Sequence, residues 1–320
     1  MSDFLSLNLS FLRALAALRT PLLDTLMSAV THLGEETFFL VLALLVFWCV
    51  DKRRGYYLLL VGFAGTIINQ MLKLAFHIPR PWVLDPDFQI VESARAQAAG
   101  FSFPSGHTQN AVGTFGSIAR TSRRRWVRIV CVALALAVAF SRLYLGVHTP
   151  LDVGVSLLVA AALVFVLAPV VEEAKRRPRY MLRVWLVMLL PAAVFLLYAL
   201  RVRAGAAGDL TNYDSAVKNA WCMLGGVAGI LAAIFVDDRF TRFETQAVWW
   251  AQGLKLALGL ALVVAVKAGL KAPLYALLGQ GSGPADGIRY CCVVLTAGVL
   301  WPMSFRFFSA LGHGKSGALH

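Results

Sequence analysis

The chain has 320 residues, of which 59% are hydrophobic and only 15% are charged, and its mean hydropathy is +0.70. This composition excludes a soluble globular protein, because a soluble domain of this length carries more charge. The formal net charge of +13 does not indicate a nucleic-acid partner. The basic residues cluster in short segments between apolar stretches instead of lining one polar face. We therefore expect an integral membrane protein.

The predicted elements are all helical. Residues 1–33 alternate apolar and polar side chains at helical spacing, with a break at Thr20-Pro21, which predicts an interfacial amphipathic helix or pair of helices. A further membrane span in this segment is the alternative. Apolar stretches of roughly 20 residues, the length that crosses a hydrocarbon core, then follow one another along the chain. They lie at 34–50, 56–76, 106–120, 126–141, 150–171, 182–200, 217–236, 248–268 and 286–306.

The charge of the connecting loops predicts the orientation of these spans. Lysine and arginine are concentrated at 52–54, 120–128 and 175–183, and cytoplasmic loops carry the excess of basic residues. These loops are therefore expected in the cytoplasm, with the amino terminus outside and the carboxyl terminus inside. Three polar clusters at the opposite ends of the spans are expected at the extracytoplasmic face.

The first polar cluster contains two cations. Lys73 lies near the outer end of the span 56–76, on a polar helical face, and Arg80 follows between Pro79 and Pro81, which end the helix. Charged residues at the edge of a membrane are costly, so a functional role is the first hypothesis. Snorkelling of both side chains to lipid headgroups is the alternative.

The second cluster opens the span 106–120. Ser105 and Gly106 stand at a helix start, where exposed N–H groups and the helix dipole favour an anion. His107 projects from the first turn, close to an anion bound there, and is a candidate proton donor. A simple helix cap beside an interfacial histidine is the alternative.

The third cluster combines Arg142, His148 and Asp152. The histidine and the aspartate are four residues apart, so the carboxylate can bind one imidazole nitrogen and leave the other to attack. Arg142 adds a fork of donors that suits phosphate oxygens. A structural His–Asp pair is the alternative for this cluster alone.

Together the clusters supply cations, a nucleophile, a proton donor and an orienting carboxylate, which predicts a phosphoryl hydrolase in the bilayer. The pattern resembles the type-2 phosphatidic-acid phosphatase superfamily, which includes lipid phosphate phosphatases, undecaprenyl-diphosphate phosphatases and glucose-6-phosphatase. The positions that carry the resemblance are Lys73, Arg80, Pro81, Pro104, Ser105, Gly106, His107, Ser141, Arg142, His148 and Asp152.

The resemblance implies a role for each site residue. His148 would be the nucleophile that forms a phosphohistidine, Asp152 would hold its tautomer, and His107 would protonate the leaving oxygen. The residues expected to cradle the phosphoryl oxygens are Lys73, Arg80, Ser105, Gly106 and Arg142. Cations would replace the metal ions of other phosphotransferases, so no metal or other cofactor is expected.

The chain is expected to divide into three parts. The amphipathic pattern gives an interfacial segment at 1–33, the resemblance covers a six-helix phosphatase core at 34–171, and a C-terminal transmembrane extension follows at 172–320. The extension carries no comparable cluster of polar residues. We expect its helices to shape a lateral lipid entrance or to form a homodimer interface.

The expected protein is a metal-independent membrane phosphatase that hydrolyses a lipid phosphate or diphosphate, with an isoprenoid diphosphate such as undecaprenyl diphosphate as the first expectation. A phosphatase of a soluble sugar phosphate is one alternative. A lipid transporter or flippase that uses the clusters only to bind phosphate is another. The expected partners are the lipid substrate and membrane lipids, in a bacterial inner membrane. The sequence leaves open the choice between monophosphate and diphosphate and the oligomeric state.

Overall fold

The computed structural model describes residues 2–177, 179–208 and 210–311, and within these ranges the chain is helical and has no β-strand. This confirms the predicted all-α fold. The α-helices are α1 (Ser2–Ala16), α2 (Pro21–Thr31), α3 (Glu36–Leu45), α4 (Lys52–Phe76), α5 (Pro81–Leu84), α6 (Gly106–Thr121), α7 (Arg125–Tyr144), α8 (Pro150–Leu167), α9 (Pro169–Arg176), α10 (Tyr180–Gly205), α11 (Thr211–Val236), α12 (Trp249–Gly269), α13 (Lys271–Leu278), α14 (Gly283–Leu295) and α15 (Phe305–Ala310).

The chain packs into two compact units. The first contains the chain up to Leu40 together with Leu60–Ala168, and the second contains Val41–Leu59 and the chain from Pro169 onward. The units are thus defined by packing and are not continuous in sequence. The division of the chain into 1–33, 34–171 and 172–320 stays a prediction.

Seven helical stretches in the described residues are long and apolar enough to cross a membrane. They are Lys52–Leu84, Arg125–Tyr144, Pro150–Arg176, Tyr180–Gly205, Thr211–Thr241, Trp249–Leu278 and Gly283–Ala310. An eighth candidate is the pair Pro21–Gly34 and Glu36–Val50, which is bent by 54°. Seven of the nine predicted spans correspond to these stretches. The predicted span 34–50 lies in the bent pair, and the predicted span 106–120 is α6, which has 16 residues and is too short and too polar to be counted.

The polarity of α6 reflects its place inside the first unit. Its side chains Gln109, Thr114 and Ser117 are all at most 3% exposed. By contrast, α7 and α8 expose apolar side chains such as Leu136 and Phe165, which suit contact with lipid. A membrane helix that other helices enclose can carry polar residues, because it does not face lipid.

The predicted break after α1 separates two helices that are tied to the rest of the first unit. The hydroxyl of Tyr144 donates to Oδ1 of Asp24 at 2.8 Å and accepts from the backbone N–H of Thr20 at 3.3 Å. Arg13 forms an ion pair with Asp85 at 2.6 Å. The amphipathic segment is therefore bonded to α7 and to the loop that follows α5.

Candidate active site

All predicted site residues lie in the first unit, at or next to helix ends. Lys73 is in the last turn of α4, Arg80 precedes α5, Ser105 to His107 open α6, Arg142 is in the last turn of α7, and His148 and Asp152 flank the start of α8. Direct contacts connect the clusters: the N–H of Ser105 donates to the carbonyl of Asp152 at 3.1 Å, and Arg80 reaches His148. The structure thus brings the three clusters together.

The start of α8 fixes the carboxylate of Asp152. Thr149 and Asp152 form a capping box, in which Oδ2 of Asp152 accepts from the N–H of Thr149 at 2.8 Å. The same Oδ2 accepts a 2.6 Å hydrogen bond from the hydroxyl of Ser102. Asp152 is 1% exposed, so its orientation is set by these buried donors.

His148 follows a tight turn after α7. Gly146 in this turn has φ +77°, a left-handed conformation that favours glycine. Nδ1 of His148 lies 3.4 Å from Oδ2 of Asp152, which is longer than an ordinary hydrogen bond. Catalytic hydrogen bonds are often long in a substrate-free site and shorten when substrate binds. The spacing of four residues therefore produces the expected pairing, in an open form.

Arg80 is held by four acceptors. Its guanidinium donates to the carbonyls of Ala99, Gly100 and Val147 at 2.9, 3.0 and 2.9 Å, and Nη1 lies 2.9 Å from Nε2 of His148. A guanidinium has no acceptor, so Nε2 must carry its lone pair in this contact. The proton of a neutral ring is then on Nδ1, which faces Asp152. This is the tautomer that a nucleophile attacking through Nε2 requires.

The charge state of His148 agrees with this tautomer. The ring is 1% exposed in the link between α7 and α8. Burial, reinforced by the nearby cations Arg80 and Arg142, holds the pKa of His148 well below its usual value. The imidazole is therefore neutral and retains a lone pair at physiological pH.

Arg142 presents donors that nothing in the described part of the chain satisfies. The side chain is fully buried, and Nη1 donates to Oγ1 of Thr31 at 2.7 Å. Its Nε and Nη2, and Nε2 of His107, have no hydrogen-bond partner among the described residues. Buried polar groups without partners are rare and costly, so these three atoms are available to bind a ligand. Two guanidinium donors beside an imidazole fit an anion with several oxygens.

The start of α6 provides backbone N–H groups that suit an anion. The hydroxyl of Ser105 accepts from the N–H of Thr108 at 3.4 Å and caps the helix. The first N–H groups of a helix have no partner within it, so those of Gly106 and His107 remain for an anion. A Cβ added at Gly106 would meet no atom within 4 Å, which shows open space beside this N–H group.

Several contacts of the site lay outside the sequence-based prediction. Lys73 donates to the carbonyl of Phe101, Ser102 binds Asp152, and Thr31 binds Arg142. Backbone acceptors leave no mark on composition, and Thr31 is far away in sequence from the three clusters. Within the described residues, no group of three or more His, Cys, Asp or Glu side chains is arranged to hold a metal ion.

Comparison with known proteins identifies the class of enzyme. The family model described as PAP2 superfamily matches residues 54–176, and the one described as PAP2 superfamily phosphatase, transmembrane extension, matches residues 221–313. The chain is 30% identical to phosphatidylglycerophosphatase B of Bacillus subtilis (strain 168), over 51% of this chain and 83% of that protein. It is 34% identical to undecaprenyl-diphosphatase BcrC of the same organism, over 45% of this chain and 72% of that protein.

The chain is also similar to a solved structure, that of a transmembrane PAP2-type phosphatidylglycerolphosphate phosphatase from Bacillus subtilis. The two sequences are 29% identical, and the match covers 55% of this chain and 90% of that chain with a TM-score of 0.46. The relatives named above are phosphatases of lipid phosphates, and this chain is an integral membrane hydrolase of that class. It belongs to the PAP2 superfamily.

Proposed function

We propose that this protein hydrolyses a lipid phosphate or diphosphate through a phosphohistidine on His148, without a metal ion, at the extracytoplasmic face of the membrane. The observation that carries the proposal is a set of buried nitrogen atoms without hydrogen-bond partners among the described residues: Nε and Nη2 of Arg142 and Nε2 of His107. They belong to the clusters that also contain His148 and Asp152, and a phosphoryl group bound there would supply their partners.

The first half of the reaction transfers the phosphoryl group to the protein. Nε2 of His148 attacks the phosphorus, and the bond from phosphorus to the leaving oxygen breaks with its electron pair on that oxygen. His107 gives this oxygen its proton. The carboxylate of Asp152 stabilises the positive charge that develops on the imidazole of His148. Arg142 and the N-terminus of α6 stabilise the charge on the phosphoryl oxygens.

The second half regenerates the enzyme. A water molecule gives a proton to His107 and attacks the phosphorus of the phosphohistidine, and the phosphorus–nitrogen bond breaks. The electron pair returns to Nε2 of His148, and inorganic phosphate leaves. His107 therefore acts first as an acid and then as a base, which restores its starting state.

Arg80 must change partners during this cycle. In the structure Nη1 lies 2.9 Å from Nε2 of His148, the atom that attacks in this mechanism. A phosphoryl oxygen is a stronger acceptor than a neutral imidazole, because the hydrogen bond then joins two charged groups. Substrate binding would therefore draw the donor from His148 to the phosphate and expose the nucleophile.

The setting supports a lipid substrate. The relatives' names refer to phosphatidylglycerophosphate and to undecaprenyl diphosphate, both lipids with terminal phosphate groups. Both relatives are bacterial, which supports a bacterial inner membrane as the location. The basic loops at 52–54, 120–128 and 175–183 support a cytoplasmic position for the ends of the helices opposite the site.

The test is phosphate release by the purified protein in detergent with EDTA. The substrates are undecaprenyl diphosphate, phosphatidic acid, sphingosine phosphate and glucose 6-phosphate, each measured for the parent and for His148→Ala. We expect metal-independent release from at least one lipid, abolished in the variant, and a labelled phosphoenzyme that is stable to base and labile to acid. Release that persists in the variant would overturn the histidine mechanism. No release from any substrate would overturn the phosphatase function and favour binding or transport.

A further inference from the structure

The segment from Thr31 to Glu35 joins α2 to α3 at the 54° bend and contains a short 3-10 turn, His32–Gly34. It lies outside residues 54–176, which the family model matches. Nevertheless, it contacts two residues of the proposed active site. We call it the 31–35 segment.

Thr31 holds one end of the Arg142 guanidinium. The hydroxyl oxygen accepts from Nη1 at 2.7 Å, and the two residues are 1% and 0% exposed. Because Nε and Nη2 have no partner among the described residues, the threonine contact is the one that fixes the rotation of the group. A fixed guanidinium directs its remaining donors into the anion site without an entropic cost at the moment of reaction.

Gly34 packs directly against the predicted acid. A Cβ at this position would lie 2.8 Å from the carbonyl oxygen and 3.1 Å from the Cβ of His107, so only glycine fits without a shift. In an in-line displacement the attacking and leaving atoms lie on opposite sides of the phosphorus. His148 is on one side, and the leaving oxygen must be near His107. The segment therefore lies beside the residue that would protonate the leaving oxygen.

The exposed part of the segment carries an acidic acceptor. Oε1 of Glu35 lies 2.6 Å from Nδ1 of His32, and the amide nitrogen of Gln97 lies 3.2 Å from the same ring atom. The side chains of His32 and Glu35 are 55% and 33% exposed, so a ligand can reach them. Glu35 directly follows Gly34, the residue that packs against His107, so the segment carries its negative charge next to the proposed active site.

We propose that the 31–35 segment forms the leaving-group subsite of this enzyme. Thr31 is a positioning residue for Arg142. Glu35 is a specificity-determining residue that accepts a hydrogen bond from a hydroxyl or ammonium group on the leaving group and repels a second phosphate there. The segment thus biases the enzyme toward phosphate monoesters and against diphosphates, relative to the same enzyme without this charge. The inference rests on the proposed phosphatase function.

The role of Thr31 is tested with Thr31→Val, which keeps the shape and loses the acceptor, and Thr31→Ser, which keeps the acceptor. For Thr31→Val we expect kcat to fall about tenfold, because one hydrogen bond to a charged group is lost. The change in KM should be smaller. The inhibition constant of vanadate should rise by a similar factor, and Thr31→Ser should restore both. If Thr31→Val does not fold, Thr31→Ala replaces it in the same assays. Parental kcat and vanadate inhibition in a folded variant without the hydroxyl would overturn the positioning role.

The role of Glu35 is tested with two substrates that share one tail, farnesyl phosphate and farnesyl diphosphate. Glu35→Gln should raise the ratio of kcat/KM for the diphosphate to that for the monophosphate about fivefold, because a nearby negative charge is removed. The matched control is Glu36→Gln, which removes the same charge from the exposed neighbouring residue.

An unchanged ratio in Glu35→Gln, or an equal rise in both variants, would overturn the specificity role while the phosphatase function stands. A parent protein that releases no phosphate from either substrate or from the panel above would instead overturn the proposed function, and the subsite with it. Activity of the parent therefore separates the two failures.

Discussion

The hydroxyl of Ser102 donates a 2.6 Å hydrogen bond to Oδ2 of Asp152, the carboxylate oxygen that also faces His148. The N–H of Thr149 donates to the same atom at 2.8 Å. Two buried donors therefore fix this oxygen in front of Nδ1 of the imidazole. The aspartate is held as part of a small network, so the orienting role that we propose for it depends on Ser102 as well as on the carboxylate.

Replacement of Ser102 by alanine should slow the enzyme without unfolding it. A hydrogen bond to a charged group contributes about 1.5–3 kcal/mol, and part of that energy orients Asp152. We expect kcat to fall roughly tenfold, with a smaller change in KM, in steady-state phosphate release. The control is Ser117→Ala, because the hydroxyl of Ser117 is equally buried in the same unit but has no hydrogen-bond partner among the described residues. Equal effects of the two substitutions would contradict the proposed link to Asp152.

Replacement of Gly146 by alanine should destabilise the first unit. Gly146 has φ +77°, and a Cβ there would lie 2.6 Å from Nη2 of Arg19 and 2.9 Å from the ring of Phe88. A left-handed conformation alone costs a residue with a side chain about 1–2 kcal/mol. The free energy of unfolding, measured by denaturant titration in mixed micelles, should fall by at least that amount.

The matched control for Gly146 is Gly154→Ala. This glycine lies within α8, has no positive φ, and would meet no atom within 4 Å if it gained a Cβ. Alanine should therefore leave the free energy of unfolding unchanged or raise it by about 0.5–1 kcal/mol. If both substitutions lowered the free energy of unfolding equally, the left-handed backbone of Gly146 would not be the cause of the loss.

His148 should stay neutral in the substrate-free protein when the pH falls. Burial and the neighbouring cations lower its pKa, and a histidine with a lowered pKa keeps its lone pair below the pH at which an exposed histidine gains a proton. NMR of the imidazole nitrogens should show a neutral ring with the proton on Nδ1 from about pH 8 to about pH 5.5. The spectrum of His148→Ala assigns the signals. If the ring instead gained its second proton at about pH 6.5, as an exposed histidine does, this expectation would be refuted.

Much of this architecture could be read from the sequence, because membrane spans leave a strong signal in composition. Each predicted span coincides with a helix, and the helix ends carry the three polar clusters as expected. The clusters predicted which residues share a site, since the ends of packed helices on one side of a bundle can meet.

What the sequence did not reveal depends on backbone geometry and distant contacts. The carbonyls of Ala99 and Gly100 hold Arg80. Because every residue has a backbone carbonyl, the residue type does not indicate which carbonyls will bind the guanidinium. Thr31 reaches Arg142 across 111 positions of the chain, so no local spacing could have paired them. Its neighbourhood carried one weak signal, a Thr-His-Leu-Gly-Glu run of polar and small residues between two apolar stretches.

Under the proposed mechanism, the contact between Arg80 and His148 also protects the nucleophile between turnovers. With its lone pair engaged by a guanidinium, Nε2 is shielded from alkylating and acylating molecules that dissolve in the bilayer. Such electrophiles carry no anionic oxygens, so they provide no acceptor that could replace the imidazole of His148 as the partner of Arg80. Only a compound that brings its own phosphoryl oxygens unmasks the nitrogen, and discrimination against foreign electrophiles thus begins before any bond is broken.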